Sequence, residues 1–104
     1  MIVGCFSPGT TPIHVFTLPF EKEMLAEVRI TYAQNKKNII TKEIDDLEID
    51  GNDISLTLTQ EETFLFEEGK NVSIQLKIKT TEGLIFNSDI IKMRVDTSLD
   101  NEVI

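Results

Sequence analysis

A chain of 104 residues with 40% apolar and 27% charged side chains has the size and composition of one globular domain, which excludes a second independent core and a disordered chain. Eighteen acidic residues against ten basic ones give a net charge of −8, and a field of that sign repels the phosphates of nucleic acids. The single cysteine excludes an internal disulfide, and no apolar run reaches the roughly 18 residues that a membrane-spanning helix needs. We therefore expect neither a nucleic-acid nor a membrane partner.

The chain divides into three predicted segments. Residues 1–10 contain Pro8 and Gly9 among other turn-forming residues, which predicts a flexible N-terminal lead. Apolar and polar residues alternate through much of 11–96, which predicts the folded domain, and 97–104 form a C-terminal tail. We expect one domain with two terminal extensions.

The first predicted strand of the domain is apolar on both faces. Period two sends Phe16 and Leu18 to one face, and Ile13 and Val15 to the other. An edge strand of this kind is either covered by its own chain or paired with another chain, because a long apolar edge otherwise promotes aggregation. Both alternatives are open from the sequence: covering by residues 98–104, or contact with a neighbouring subunit.

Contact with another protein supplies the candidate functional residues. The candidates come from the first strand, which is apolar on both faces, and from the apolar end of the chain. Both place large apolar side chains where a partner can reach them. The candidate partner-binding residues are Ile13, Val15, Phe16, Val103 and Ile104.

No motif in the sequence indicates catalysis. There is no G-x-S-x-G nucleophile elbow, no phosphate-binding glycine loop and no H-E-x-x-H zinc motif. The one histidine, His14, has no second histidine with which to hold a transition metal, so we expect its imidazole at the edge of the core with a backbone partner. We expect a protein that is not an enzyme, with no cofactor and no catalytic metal.

A hairpin is predicted next along the chain. Residues 27–32 (EVRITY) alternate as a half-buried strand, 35–38 (NKKN) form a polar turn and 39–44 return as the second strand. Asp50-Gly51-Asn52 then predicts another turn, because glycine tolerates positive φ. The middle of the chain is therefore expected to be antiparallel sheet.

Five acidic residues crowd between positions 45 and 53. Solvation of the surface explains them most simply, but hard cations prefer several carboxylate oxygens, so a calcium-dependent module is an alternative. The spacing does not match an EF-hand loop. The residues concerned are Asp45, Asp46, Glu48, Asp50 and Asp53.

Residues 59–62 carry a helix-start signal in a chain that otherwise alternates. Thr59 and Glu62 have the S/T-x-x-E spacing of a capping box, in which each side chain accepts a hydrogen bond from the backbone N–H of the other residue. A single capped turn is a compact way for a chain to cross between two sheets. We expect one helical turn that carries residues 64–66 over the end of the core, with Gly69 leading into the next strand.

The second half of the chain again alternates, most clearly over 72–79 and then over 84–95. About seven short strands, with turns every 8 to 12 residues or so, are typical of a sandwich. The predicted fold is all-β: a single antiparallel immunoglobulin-like β-sandwich of about seven strands with one short helical turn. A small barrel is the alternative.

Five stretches of the chain are distinctive: TPIHVFTLPF at 11–20, VRITYAQ at 28–34, LTQEET at 58–63, IQL at 74–76 and LDNEVI at 99–104. Together they resemble small proteins encoded in the prophage tail regions of gut Firmicutes, and the resemblance covers nearly the whole chain from Thr11 onward. Those proteins are more distantly similar to the immunoglobulin-like N-terminal domain of phage upper baseplate proteins. The resemblance implies a virion or assembly component and brings no catalytic residues with it.

The expected function is that of a non-enzymatic structural or protein-interaction module of phage or prophage origin, an accessory of a tail or baseplate. Its expected partners are other phage structural proteins or further copies of itself. The expected location is the bacterial cytoplasm during synthesis and then the virion tail. The alternative is a bacterial surface or carbohydrate-binding β-sandwich, for which the sequence supplies few stacking residues, since it has no tryptophan and one tyrosine, Tyr32.

Overall fold

The structure is a computed structural model that describes residues 2–100 and 102–104. Within those residues the chain forms nine strands and one α-helical turn, α1 (Gln60–Thr63). Single 3-10 turns occupy Lys22–Met24 and Ile44–Asp46. The strands are β1 (Ile2–Phe6), β2 (Ile13–Thr17), β3 (Leu25–Gln34), β4 (Lys37–Glu43), β5 (Glu48–Asp50), β6 (Asp53–Thr57), β7 (Asn71–Thr80), β8 (Ile85–Asn87) and β9 (Ile91–Val95).

The strands form two sheets that pack into a sandwich. The larger sheet has the order β1-β9-β7-β3-β4, with β8 also paired to β7, and the smaller sheet has the order β2-β6-β5. The chain passes from one sheet to the other between β1 and β2, between β2 and β3, between β4 and β5, and between β6 and β7. The predicted all-β sandwich with a short helical turn is confirmed. The described residues form nine strands where about seven were expected, and β1 runs parallel to β9, whereas the other pairs are antiparallel.

The core lies between the inner faces of the two sheets. Alternation along β3 buries Val28, Ile30 and Tyr32 completely, and β6 contributes Ile54 and Leu56 from the opposite sheet. Burying an aliphatic or aromatic side chain of this size stabilises the fold by about 1.5 to 3 kcal/mol. The alternation of apolar residues in the sequence therefore identifies side chains that hold the two sheets together.

The β3–β4 hairpin turns over two residues. Asn35 and Lys36 have φ values of 54° and 64°, and Gln34 pairs directly with Lys37. Positive φ at both central residues is the type I′ geometry, whose twist matches that of the flanking strands. The hairpin is confirmed, with a turn shorter than the four polar residues suggested.

The predicted capping box is present at α1. Thr59 Oγ1 accepts a hydrogen bond from the Glu62 N–H at 3.1 Å, and Glu62 Oε1 accepts one from the Thr59 N–H at 3.0 Å. Glu62 also forms an ion pair with Lys42 of β4, with 2.6 Å between Oε2 and Nζ. The turn brings Phe66 into the core, while Leu65 stays exposed, and Gly69 follows at φ 75°. This connection carries the chain from the smaller sheet to the larger.

The N-terminal lead predicted over 1–10 is wrong for Ile2–Phe6, which form β1. This strand runs parallel to β9 and pairs Phe6 with Val95, and the Phe6 side chain is buried in the core. The register shifts between Ile2 and Cys5, and the interval contains Gly4; glycine within a strand often marks such an irregularity. The sandwich therefore includes residues before position 11.

Candidate protein-binding surface

Strand β2 lies at one edge of the smaller sheet, with β6 as its one strand partner among the described residues. Two backbone hydrogen bonds, one at each end of the β2–β6 ladder, show which residues of β2 bond to β6. Leu18 N–H donates to the Asn52 carbonyl at 2.9 Å, and Leu58 N–H donates to the Pro12 carbonyl at 3.0 Å. In an antiparallel pair, residues that bond to the partner strand alternate with residues that do not. The even-numbered residues of β2 therefore bond to β6.

The odd-numbered residues of β2 direct their backbone groups to the open side of the sheet. They are Ile13, Val15 and Thr17, which sit opposite Thr57, Ser55 and Asp53. Among the described residues, none forms a second ladder along this side. A row of unpaired N–H and C=O groups is a template for an additional strand.

The side chains of the same residues form the outer face of β2. Ile13 is 67% exposed and Val15 is 57% exposed, so nothing in the described chain covers them. The alternative that residues 98–104 cover this strand is therefore wrong for these two side chains. The open edge and its exposed aliphatic side chains together form the candidate surface, which we call the β2 edge.

Phe16 does not belong to the β2 edge, and its assignment as a partner-binding residue is wrong. Its side chain is 7% exposed and lies in the core with His14 on the inner face of β2. The alternation that exposes Val15 turns its neighbour inward. A partner at the open edge meets Ile13 and Val15 and does not reach the Phe16 ring.

The C-terminal candidates lie elsewhere on the surface. Val103 and Ile104 are exposed, and Ile104 is held by Gln60 of α1: its N–H donates to the Gln60 Oε1 at 2.9 Å. Because Leu58 bonds to Pro12, α1 starts at the same end of the smaller sheet as Ile13. The structure thus places Ile104 at one end of the β2 edge, outside the strand ladder.

The opposite edge of the smaller sheet contrasts with the β2 edge. Strand β5 is three residues long, and Glu48 and Asp50 are both exposed on it. Short length and charge are devices that stop an edge strand from pairing with another chain. Strand β2 has five residues and no charged side chain that is exposed. Of the two edges, the β2 edge is the one left open to strand pairing.

His14 is buried beneath this surface. Its Nδ1 shares a hydrogen bond with the Tyr32 hydroxyl, so the expected backbone partner is wrong. Burial lowers the pKa of His14 and raises the pKa of Tyr32. The pair is therefore neutral near pH 7 and lies in the core.

The acidic segment does not converge on a cation. Among residues 2–100 and 102–104, no three Asp, Glu, His or Cys side chains form a group that could hold a metal ion. Asp46 instead accepts a hydrogen bond from the Glu43 N–H at 3.0 Å, and Asp53 accepts one from the Thr17 hydroxyl at 2.7 Å. These carboxylates stabilise a 3-10 turn and a cross-strand pair.

No family model, curated protein or solved structure matches this chain. In the part of the chain that the structure describes, no helix has the length and apolar character needed to cross a membrane. The β2 edge is therefore the feature of the molecule that bears on function.

Proposed function

We propose that this protein is a non-enzymatic structural module of phage origin, which binds another protein along the β2 edge as an accessory of a tail or baseplate. The observation that carries the proposal is an edge strand with exposed aliphatic side chains and no protecting charge. The resemblance of residues 11–20, which include this strand, to prophage tail-region proteins supports the phage setting.

Strand addition is the mode of binding that the β2 edge favours. An incoming strand would hydrogen-bond to the free N–H and C=O groups of Ile13, Val15 and Thr17. Each such bond contributes about 0.5 to 1.5 kcal/mol, and burial of the two aliphatic side chains adds about 25 cal/mol per Å² of apolar surface. Backbone bonds would supply affinity, and the two side chains would supply preference for apolar partners.

The carbohydrate-binding alternative has less support. It requires several aromatic rings on the surface against which a sugar can stack. Tyr32, the one tyrosine, is fully buried in the core, and of the phenylalanines that the structure describes only Phe86 is exposed, at 42%.

Incorporation into phage particles tests the proposal. Particles are purified after prophage induction of a host that expresses wild-type protein, Val15→Asp or Leu84→Asp, and the chain is quantified in the tail fraction by mass spectrometry. Leu84 is the matched control because it is 54% exposed, close to the 57% of Val15, and lies before β8 in the other sheet.

We expect wild type and Leu84→Asp to be present in tails and Val15→Asp to be reduced at least about tenfold, which corresponds to about 1.4 kcal/mol of binding free energy. Circular dichroism of the purified variants verifies that each is folded. Absence of the wild-type chain from tails would refute the phage role, and retention of Val15→Asp would refute the β2 edge.

A further inference from the structure

The outer face of the smaller sheet is acidic. Its charged side chains are Glu48 and Asp50 on β5 and Asp53 on β6, and all three are exposed. The register places Glu48 opposite Ser55, and Ser55 opposite Val15, so carboxylates and the β2 edge share one face. No lysine or arginine lies on β2, β5 or β6, all of which the structure describes. The three strands therefore give this face a local charge of −3.

The outer face of the larger sheet is basic. Lys77 on β7 lies opposite Arg29 on β3, and both line a groove of about 320 Å³. Lys92 on β9 lies opposite Ser73, which lines the same groove. Five of the ten basic residues of the chain lie on this face against three acidic ones, which leaves a local charge of +2. The basic residues are Arg29, Lys77, Lys79, Lys92 and Arg94, and the acidic ones are Glu27, Glu43, which pairs with Arg29, and Asp96, which pairs with Arg94.

Among the side chains that the structure describes, each face also carries exposed aliphatic groups. On the larger sheet these are Ile85, opposite Lys79, and Ile90, which lines the groove. On the smaller sheet they are Ile13 and Val15. The two faces thus offer similar apolar patches beside charges of opposite sign, which is the combination that gives an interface both burial and orientation.

We propose that the acidic face of one copy docks on the basic face of a second copy, so that the protein associates with itself head to tail. This inference rests on the proposed function, because it names the partner of the face that includes the β2 edge. A contact between two different faces is heterologous, and each added copy leaves one acidic and one basic face free. Such an assembly closes into a ring or extends as a filament.

Charge favours this arrangement over a symmetric dimer. Two copies that used the same face would set −3 against −3 or +2 against +2, and like charges across an interface repel each other. The net charge of −8 repels distant copies, so local complementarity is what selects the orientation at contact.

Mixing two charge-reversed variants tests the head-to-tail contact. The first variant, Glu48→Lys with Asp50→Lys, loses the acidic face and keeps the basic one. The second, Lys77→Glu with Lys92→Glu, loses the basic face and keeps the acidic one. Neither Lys77 nor Lys92 lies opposite an acidic residue in its registers with neighbouring strands, so these changes introduce no cross-strand repulsion.

Sedimentation velocity gives the readout. Wild type should exceed twice the monomer mass of 11.8 kDa at high concentration and dissociate on dilution. Each variant alone should remain monomeric, and an equimolar mixture should associate again. The unchanged basic face of the first variant matches the unchanged acidic face of the second, and the two reversed faces also carry opposite charges. Neutral variants, Asp50→Asn and Lys77→Gln, serve as a second set and should each weaken wild-type association several-fold.

Two results would overturn the inference. A wild-type protein that is monomeric at every concentration would do so, and the particle experiment with Val15→Asp would still decide the proposed function separately. A dimer that tolerates both charge reversals, yet is lost in Val15→Asp, would indicate symmetric pairing of two β2 edges instead.

Discussion

His14 and Tyr32 show how a single buried contact makes stability depend on pH. The imidazole shares a hydrogen bond with the Tyr32 hydroxyl and lies 5.5 Å from the Phe6 ring, centroid to centroid. Burial keeps the pKa of His14 below its ordinary value of 6.5. The native state therefore takes up a proton at this site less readily than the unfolded chain does.

The free energy of unfolding should therefore depend on the protonation of His14. The free energy of unfolding should be highest above about pH 6.5 and should fall as the pH decreases from about 6.5 towards the lower pKa of the native state, because the unfolded chain then binds the additional proton. Urea unfolding between about pH 7.5 and about pH 5.5 measures the slope, and His14→Gln should flatten it. Equal slopes in the two proteins would contradict the assignment.

Lys36 lies at a turn position whose backbone conformation favours glycine. It has φ 64° in the type I′ turn, a conformation in which a side chain is unfavourable and glycine is not. Lys36→Gly should raise the free energy of unfolding by about 0.5 to 1 kcal/mol. Lys36→Ala is the control, since it removes the same charge but keeps a Cβ, and it should give no gain in urea unfolding.

The helical turn α1 is the element whose stability depends most directly on two side chains. Glu62 takes part in both the capping box and the ion pair with Lys42. Partial burial acts to raise the pKa of Glu62, but hydrogen bonds from Lys42 and Thr59 outweigh it, so the pKa is lowered overall. The carboxylate is thus the form that connects α1 to β4.

Loss of the cap gives a prediction at the element scale. Thr59→Ala removes the acceptor for the Glu62 N–H and should lower the free energy of unfolding by about 1 kcal/mol. Thr97→Ala, an exposed threonine after β9, should change it by less than about 0.5 kcal/mol. Similar losses in the two variants, measured by urea unfolding, would mean that the cap is not the cause.

Elements with a strong local pattern could be predicted from the sequence. The alternation of apolar residues predicts β3 and β7, and the Thr59-to-Glu62 spacing predicts α1. Each signal depends only on residues that are close together along the chain. Strand β1 was missed because its local residues favour a loop, and it is a strand only through pairing with β9, about ninety positions away. Strand β8 has three residues, too few to show a period.

At the scale of the whole molecule, the candidate surface was only partly predictable. Alternation correctly placed Ile13 and Val15 outside, but both faces of β2 are apolar, so the pattern gave no sign that Phe16 was unavailable. The separation of charge between the two sheets could not be read from the sequence. Its basic residues are far apart along the chain and meet on one face only when β3, β7 and β9 pair.

The pairing of β1 with β9 also determines the order in which the molecule can be completed. Residues 2–6 are synthesised well before residues 91–95, so the larger sheet cannot reach its final width until position 95 has been synthesised. Until then Phe6 has no strand beside it. Such distant pairing carries a high entropic cost of loop closure, which places this sandwich among slowly folding topologies and makes the docking of β1 on β9, rather than local structure, the step that closes its core.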